Sequence, residues 1–229
     1  MRPIELIVDQ QIRRWELEKK HPRELMAEPL KPGPIITISR QRGSQGSIVA
    51  QMLSELTGFT LINRDIIDQI SQEIGTQKRL VESLDESVRS SFQLWVDGIF
   101  RGRIVDSSDY MQSLVKIIGA ISHHGKAIIV GRGANFILGN KRGFHVRVVA
   151  DYQFRIESLM KRRGLSHDKA EEDLLKTDQN RKKFVKKHLG SDIDDANAYD
   201  LVINSTYLLP EQIAAIILNS YPQKRYSKG

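Results

Sequence analysis

The sequence predicts an α/β fold in which helices cover both faces of a five-stranded parallel sheet. From Ile35 onward, short apolar runs alternate with segments whose apolar residues recur at helical spacing. The short runs consist almost entirely of isoleucine and valine, which is typical of parallel strands that are buried on both faces. At 229 residues, the chain suits one main domain with appendages.

The strands are expected at "IITIS", "FTLI", "AIIV", "HVRVVA" and "DLVIN", which occupy residues 35–39, 59–62, 127–130, 145–150 and 200–204. Apolar residues on one helical face follow the first two strands: Ile48, Val49, Met52, Leu53 and Leu56 after the first, and Ile66, Ile67, Ile70 and Ile74 after the second. A mostly helical insertion is expected at about 80–124, and helix-like segments follow each later strand.

Residues 1–34 are expected to form an arm outside the main domain, which is assigned to residues 35–229. Ile4, Val8, Ile12 and Trp15 recur at helical spacing and predict an amphipathic helix, which a proline-bearing linker follows. The apolar stripe of this helix must pack against something. Its own domain is the simpler expectation, and a homodimer through this helix is the alternative.

Composition narrows the classes of partner. The chain has 35 Lys+Arg against 28 Asp+Glu, and the formal charge of +7 favours anionic ligands such as nucleotides. Cysteine is absent, which excludes disulfides and thiolate metal sites. No signal-peptide pattern or membrane span is apparent, so the expected compartment is the cytoplasm. Nucleic acid is not favoured, because the basic stretch at 181–187 has no set of interleaved aromatic residues for base stacking.

The stretch "SRQRGSQGS" at 39–47 has the position of a phosphate loop, between the first strand and the helix that follows it. Gly43 and Gly46 allow a tight turn, and the start of the helix near Ser47 offers backbone N–H groups and a positive dipole end to an anion. Ser47 stands where a hydroxyl would help to hold Mg²⁺. Gly46 occupies the usual lysine position.

A cation near a phosphate bound by this loop would then have to come from another residue. Arg40 leaves the first strand at the entrance of the loop, and we expect its side chain to fold back and partly replace the lysine. Arg42 is the local rival, and its position within the turn predicts a side chain directed to solvent.

Several blocks of the sequence resemble the cytidylate-kinase-like proteins, which are relatives of the nucleoside monophosphate kinases. The blocks include "ITISRQRGSQGSIVAQMLSELTG", "NRDIID", "SLDES", "VGRGANFIL", and the combination of Asp178 and Arg181 with "YDLVINST". Together they span about residues 35–218. The resemblance implies a three-layer P-loop kinase fold with a helical lid, placed here at about 155–190. It also implies transfer of the terminal phosphoryl group of ATP, with Mg²⁺, to a nucleoside monophosphate such as CMP or dCMP.

The resemblance implies a role for each matching position. The donor phosphates would lie on the loop formed by Gly43, Ser44, Gln45, Gly46 and Ser47. The lid would supply Arg155, Arg162 and Arg181, with Arg162 preferred to Arg163 because it shares a helix face with Arg155.

The acceptor monophosphate is expected at the ends of the second and third strands. Arg64 and Asp65 would open the acceptor-binding helix, which Asn63 is expected to cap. Arg132, between Gly131 and Gly133, is the strongest acceptor-phosphate candidate, because a guanidinium at the end of a buried strand needs an anion.

Three positions depart from the usual family pattern. Gln45 replaces a loop glycine, Asn63 replaces an aspartate, and Gly133 replaces the acid of a "GRD" turn. They leave open a second class of function, a nucleotide-binding regulatory protein with a degenerate phosphate loop and little or no kinase activity.

Overall fold

The computed structural model describes residues 12–13, 34–84, 86–102, 106–140 and 142–221. The strands are β1 (Ile35–Arg40), β2 (Thr60–Ile62), β3 (Ala127–Val130), β4 (Phe144–Val149) and β5 (Leu201–Asn204). Every pairing in the sheet is parallel, and the strand order is β2-β3-β1-β4-β5. The prediction of a five-stranded parallel sheet is therefore confirmed.

The described helices are α1 (Gly46–Thr57), α2 (Arg64–Gln72), α3 (Ile74–Glu82), α4 (Glu86–Gly102), α5 (Asp109–His124), α6 (Ala134–Leu138), α7 (Tyr152–Arg163), α8 (His167–Leu189) and α9 (Pro210–Ser220). A 3₁₀ turn at Ala196–Ala198 precedes β5. No helix in the described ranges is long and apolar enough to cross a membrane.

Alternating residues of the strands feed two hydrophobic clusters on opposite faces of the sheet. Ile36 and Ile38 pack with residues of α1 and α9 on one face. Ile35 and Ile129 pack with residues of α2 to α6 and the end of α8 on the other face. A third, smaller cluster joins α7 to α8. The strands read as continuous apolar runs because helices cover both faces.

Helix α1 shows one departure from the predicted apolar face. Val49 and Leu53 are fully buried against the sheet, whereas Leu56 is 63% exposed. The prediction is wrong at Leu56, which lies in the last turn of the helix, before the chain turns at Gly58.

Most of the N-terminal arm lies outside the described residues, including Ile4, Val8 and Trp15. Ile12 and Arg13 are helical, and Ile12 packs against the larger hydrophobic cluster. This contact favours an arm that packs on its own domain. Nothing in the described ranges supports a homodimer through the arm.

Candidate active site

A cavity of about 730 Å³ opens at the carboxyl ends of β1, β2 and β3. This is the edge of a parallel sheet at which α/β proteins bind their ligands. Five arginines line it, namely Arg40, Arg42, Arg64, Arg132 and Arg181. Asp65 is the sole acidic side chain among the described lining residues. Five guanidinium groups around one cavity favour a ligand with several negative charges.

The predicted phosphate loop has the backbone geometry of a helix start. Helix α1 begins at Gly46, and Gln45 is its N-cap residue with left-handed φ and ψ of 62° and 2°. The first N–H groups of a helix have no intrahelical acceptor, so this end can receive an anion. Ser47 lines the cavity and is exposed, which leaves its hydroxyl accessible.

Ser44 and Gly43 stabilise the conformation of the loop. The Ser44 hydroxyl is buried and donates to the carbonyl oxygens of Gln41 at 2.9 Å and Val148 at 3.1 Å. Gly43 has a φ of 81°, and a Cβ there would collide with the Arg155 carbonyl oxygen. These two residues fix the loop against β4 and α7, and the Ser44 hydroxyl is not free to bind a ligand.

Gly46 leaves room for Arg40 where a phosphate loop usually has lysine. A Cβ at Gly46 would lie 2.7 Å from Arg40 Cβ and 3.2 Å from Val148 Cβ. The Arg40 side chain therefore crosses the space beside the start of α1. Its Nη1 lies against Gly131, at the end of β3. This geometry agrees with the expectation that Arg40 folds back over the loop.

Arg40 is a partly buried cation whose charged neighbours are mostly other cations. Burial lowers its pKa to about 9, and the neighbouring charges of Arg181, Arg42 and Arg64 add to this effect. Its Nε is buried and has no hydrogen-bond partner among the described residues. Folding therefore disfavours the charged form of Arg40, whereas a bound anion would favour that form.

Asp178 joins the predicted phosphate loop to α7 and α8. Its carboxylate accepts from the Arg42 backbone N–H at 2.8 Å and from Arg155 Nη1 at 2.6 Å. Arg181 Nη1 lies 3.5 Å from the same carboxylate and donates to the Arg40 carbonyl oxygen at 2.9 Å. The sequence motif of Asp178 and Arg181 therefore holds α8 against the phosphate loop.

Arg42 does not point freely to solvent, which corrects the prediction from the sequence. Its Nε and Nη2 donate to Asp173 Oδ2 at 3.1 and 2.7 Å. Burial alone would raise the pKa of Asp173, but the hydrogen bonds and charge of Arg42, aided by Thr177 and Arg163, lower it. A partner 131 residues away overrides the local tendency of a turn residue to point outward.

The structure does not bring every predicted lid arginine to the cavity. Arg181 lines it, whereas Arg155 is buried beneath the loop in its ion pair with Asp178, and Arg162 is exposed on α7. Arg163, which the helix-face argument ranked below Arg162, lies 3.4 Å from Asp173.

The acceptor candidates meet at the ends of β2 and β3. The Asn63 side chain accepts from the Ile66 N–H at 3.0 Å and caps α2, as predicted. Arg64 and Asp65 in the first turn of α2 line the cavity, as does Arg132. Arg132 has a φ of 53°, which is unusual outside glycine and is often found at functional sites.

Two charged groups near the cavity were missed by sequence reasoning. Asp68 accepts a hydrogen bond from Arg132, and its position four residues after Arg64 on the same helix is the signal that could have found it. Arg147 is buried on β4 and donates to Ser39 Oγ at 2.9 Å and to Asp194 at 2.5 Å. A lone arginine within the "HVRVVA" strand was the corresponding signal.

The residues present fit an ATP–Mg²⁺ complex held mainly by phosphate oxygens. The described ranges contain no group of three or more His, Asp or Glu side chains that could hold a metal by themselves. Mg²⁺ usually keeps several waters and is bound by substrate phosphates with few protein ligands. The Ser47 hydroxyl at the start of α1 suits that role.

The packing of Gly46 leads to a testable expectation. Gly46→Ala should lower the free energy of unfolding by about 2 kcal/mol, because the new methyl group overlaps Arg40 and Val148. Gly46→Lys should likewise displace Arg40 and weaken ATP binding. Urea unfolding and ATP titration of both variants test this, with Gly98→Ala, where a Cβ meets nothing within 4 Å, as the control. A Gly46→Lys protein that gains activity over an inert wild type would indicate a decayed loop.

The buried ion pair of Arg155 predicts a loss of stability rather than a primary loss of chemistry. Arg155→Ala should lower the free energy of unfolding by roughly 3 kcal/mol, the lower end of the usual range, since it removes one partner of a largely buried pair. Arg162→Ala, on the same helix but exposed, should leave it within about 0.5 kcal/mol of wild type. Chemical unfolding of the two variants measures the difference, and equal effects would contradict the assignment.

Comparisons with known proteins identify the family of the chain. The family model described as the cytidylate kinase-like family matches residues 35–207. A cytidylate kinase of Thermoplasma volcanium is 27% identical over 191 residues, covering 80% of this chain and 89% of that protein. A cytidylate kinase of Sulfolobus acidocaldarius is 25% identical over 194 residues, covering 82% and 94%.

A solved structure shares the fold. The crystal structure of an uncharacterized protein from Eubacterium ventriosum superposes with a TM-score of 0.66 at 21% identity. The match covers 84% of this chain and 99% of that one. With the family match over residues 35–207 and the parallel sheet beneath a phosphate-loop geometry, the chain belongs to the cytidylate kinase-like family.

Proposed function

We propose that this protein transfers the terminal phosphoryl group of ATP to a nucleoside monophosphate, with CMP or dCMP as the first acceptors to test. The observation that carries the proposal is the cavity with five arginines, which is lined by Ser47 at the start of α1 and by Arg64 and Arg132 after β2 and β3. The relatives named cytidylate kinase support the choice of acceptor.

The donor side of the reaction is assigned to the loop. The first N–H groups of α1 would bind ATP phosphate oxygens, and Ser47 would contribute a ligand to Mg²⁺. Arg40 would place its guanidinium near the β- and γ-phosphates, in place of the lysine that Gly46 lacks. Partial burial of Arg40 would strengthen this interaction because less water competes with it than at the surface.

The acceptor side is assigned to Arg64, Asp65 and Arg132. An oxygen of the acceptor phosphate would form the new bond to the γ-phosphorus while the bond from that phosphorus to the β–γ bridging oxygen breaks, releasing ADP. Arg181, which already contacts the loop carbonyl of Arg40, would stabilise the charge on the transferring group. A role for Arg162 would require α7 to move toward the cavity.

The deciding experiment is a screen of nucleoside monophosphates and other small acceptors with ATP and Mg²⁺, in which ADP release is followed. ADP release that depends on CMP or dCMP, and that EDTA abolishes, is the expected result. A reaction without acceptor measures background hydrolysis. Release with a different acceptor would keep phosphoryl transfer and change the substrate, and no acceptor-dependent release would contradict the proposal.

A second candidate, a nucleotide-binding regulatory protein, is favoured by two positions at which the sequence departs from the usual family pattern. Gln45 has a left-handed conformation in which glycine is unstrained. At Gly133, where the family commonly has an acid, a Cβ would overlap the Leu189 side chain. Binding of ATP or CMP in a thermal-shift assay, without turnover in the screen, would select this candidate.

A further inference from the structure

We propose that Asp68 is a positioning residue that holds the guanidinium groups of Arg132 and Arg64 where an acceptor phosphate would bind. The inference rests on the proposed function, because it concerns the acceptor end of the same cavity. Asp68 does not line the cavity itself and would act through the arginines that do.

Three side chains from three elements converge on the Asp68 carboxylate. Oδ2 accepts from Arg132 Nη2 and lies 3.4 Å from Arg64 Nε, one turn earlier on α2. Oδ1 accepts from the Tyr110 hydroxyl of α5 at 3.1 Å. Its side chain is 23% exposed, so these bonds form with restricted access to water. Asp68 therefore links α2 and α5 to the turn that follows β3.

Two aromatic rings also lie close to the Arg132 guanidinium. Its guanidinium carbon lies 5.8 Å from the centre of the Tyr110 ring and 5.3 Å from that of the Phe184 ring. Both distances are within the range of cation–π attraction. Phe184 belongs to α8, so the lid also contributes to the position of this arginine. The geometry leaves the group few orientations.

The bond to Asp68 uses only part of the hydrogen-bonding capacity of Arg132. Nε is buried and has no partner within the described ranges, and Nη1 makes no hydrogen bond to a described residue. A guanidinium has five N–H donors, so donors remain for a phosphate. A purely structural ion pair would not require a cavity-lining residue with an unpaired buried nitrogen and a positive φ.

The size of the expected effect on acceptor binding follows from the side-chain freedom that Arg132 has lost before the ligand binds. Holding a flexible arginine in its binding orientation before the ligand arrives improves affinity by about tenfold, because less side-chain freedom is lost on binding. The carboxylate also repels a phosphate, so removal of its charge alone would strengthen binding. The proposal therefore requires that the loss of ordering outweighs the loss of repulsion.

The kinetic test compares Asp68→Asn with wild type at varied CMP and varied ATP. We expect kcat/KM for CMP to fall about tenfold, with KM for ATP changed by less than about twofold. Asp68→Glu should recover part of the loss. Tyr110→Phe, which removes the hydroxyl and keeps the ring over Arg132, should give a smaller loss. Asp109→Asn, an exposed acid adjacent to Tyr110, is the matched control and should match wild type.

A spectroscopic test separates this inference from the proposed function. The Nε–H resonance of Arg132, assigned by its absence in Arg132→Lys, should show hindered rotation of the guanidinium in wild type and faster rotation in Asp68→Asn. An unchanged resonance, or an unchanged kcat/KM for CMP in an active protein, would overturn the inference. If the wild type turns over no acceptor, the proposed function fails, and the resonance alone decides whether Asp68 holds Arg132.

Discussion

Arg40→Ala is expected to lower the turnover of an active protein by about 10²-fold or more, with the fold intact. The transferring phosphoryl group needs a cation besides Mg²⁺, and loss of one such donor typically has this effect. Arg40 is the cation whose side chain crosses the space beside Gly46 and reaches Gly131. Steady-state kinetics with saturating ATP and acceptor measure the change, and circular dichroism checks the fold.

The same substitution should not destabilise the protein in the absence of ligand. Because burial lowers the pKa of Arg40 below its ordinary value, folding disfavours its charge, and at neutral pH that charge costs stability. Arg40→Ala should therefore raise, or at least not lower, the melting temperature, while reducing the increase that ATP causes.

Arg101→Ala, at an exposed position on α4, is the matched control for Arg40→Ala and should leave turnover and melting temperature unchanged. Arg42→Ala should reduce turnover much less than Arg40→Ala. Because Arg42 forms an ion pair with Asp173 of α8, the substitution also tests how α8 packs against the loop. A harmless Arg40→Ala in an active protein would mean that Arg181 and the other arginines supply the charge without it.

The fold could be predicted because strands that are buried on both faces have nearly continuous apolar sequences. Residues 127–130 and 35–38 are apolar at nearly every position, and each faces a helix on one side of the sheet or the other. The carboxyl ends of parallel strands share one edge, so the residues after "IITIS", "FTLI" and "AIIV" were expected to meet. Arg40, Arg64 and Arg132 do line one cavity.

The ion pairs of the site could not be predicted, because their partners are distant in sequence. Arg42 meets Asp173 across 131 residues, and Arg132 meets Asp68 across 64. Helical spacing shows that Arg155 and Arg162 share a face, but it does not show what that face meets. Arg155 turned out to be buried against Asp178, at the part of α7 that the loop covers.

In the predicted phosphate loop, the space beside position 46, where lysine usually stands, is filled by the Arg40 side chain. Gly46 is buried, and the Arg40 side chain packs directly on it. A lysine at position 46 and the observed Arg40 could not occupy this space together. The observed position of Arg40 therefore requires a glycine at position 46, and the two residues should be interpreted together.

Arg132→Lys is expected to lower kcat/KM for the acceptor roughly 10- to 100-fold while ATP binding stays nearly intact. An ammonium group cannot form the bidentate hydrogen bonds of a guanidinium or present the same flat group to an aromatic ring. Arg132 lies near the rings of Tyr110 and Phe184, pairs with Asp68, and lines the cavity. Kinetics at varied acceptor and calorimetric titration with ATP separate the two effects.

Arg142→Lys is the matched control, because Arg142 also stacks on an aromatic ring, that of Trp95 at 4.8 Å, but does not line the cavity. It should lose some stability and keep the kinetics of wild type. Equal losses of acceptor use and ATP binding in Arg132→Lys would mean that the residue maintains the site as a whole. No loss would mean that its charge serves only to balance Asp68. A selective loss of acceptor use would support direct contact between Arg132 and the acceptor phosphate, since the lysine keeps the charge and changes only its geometry.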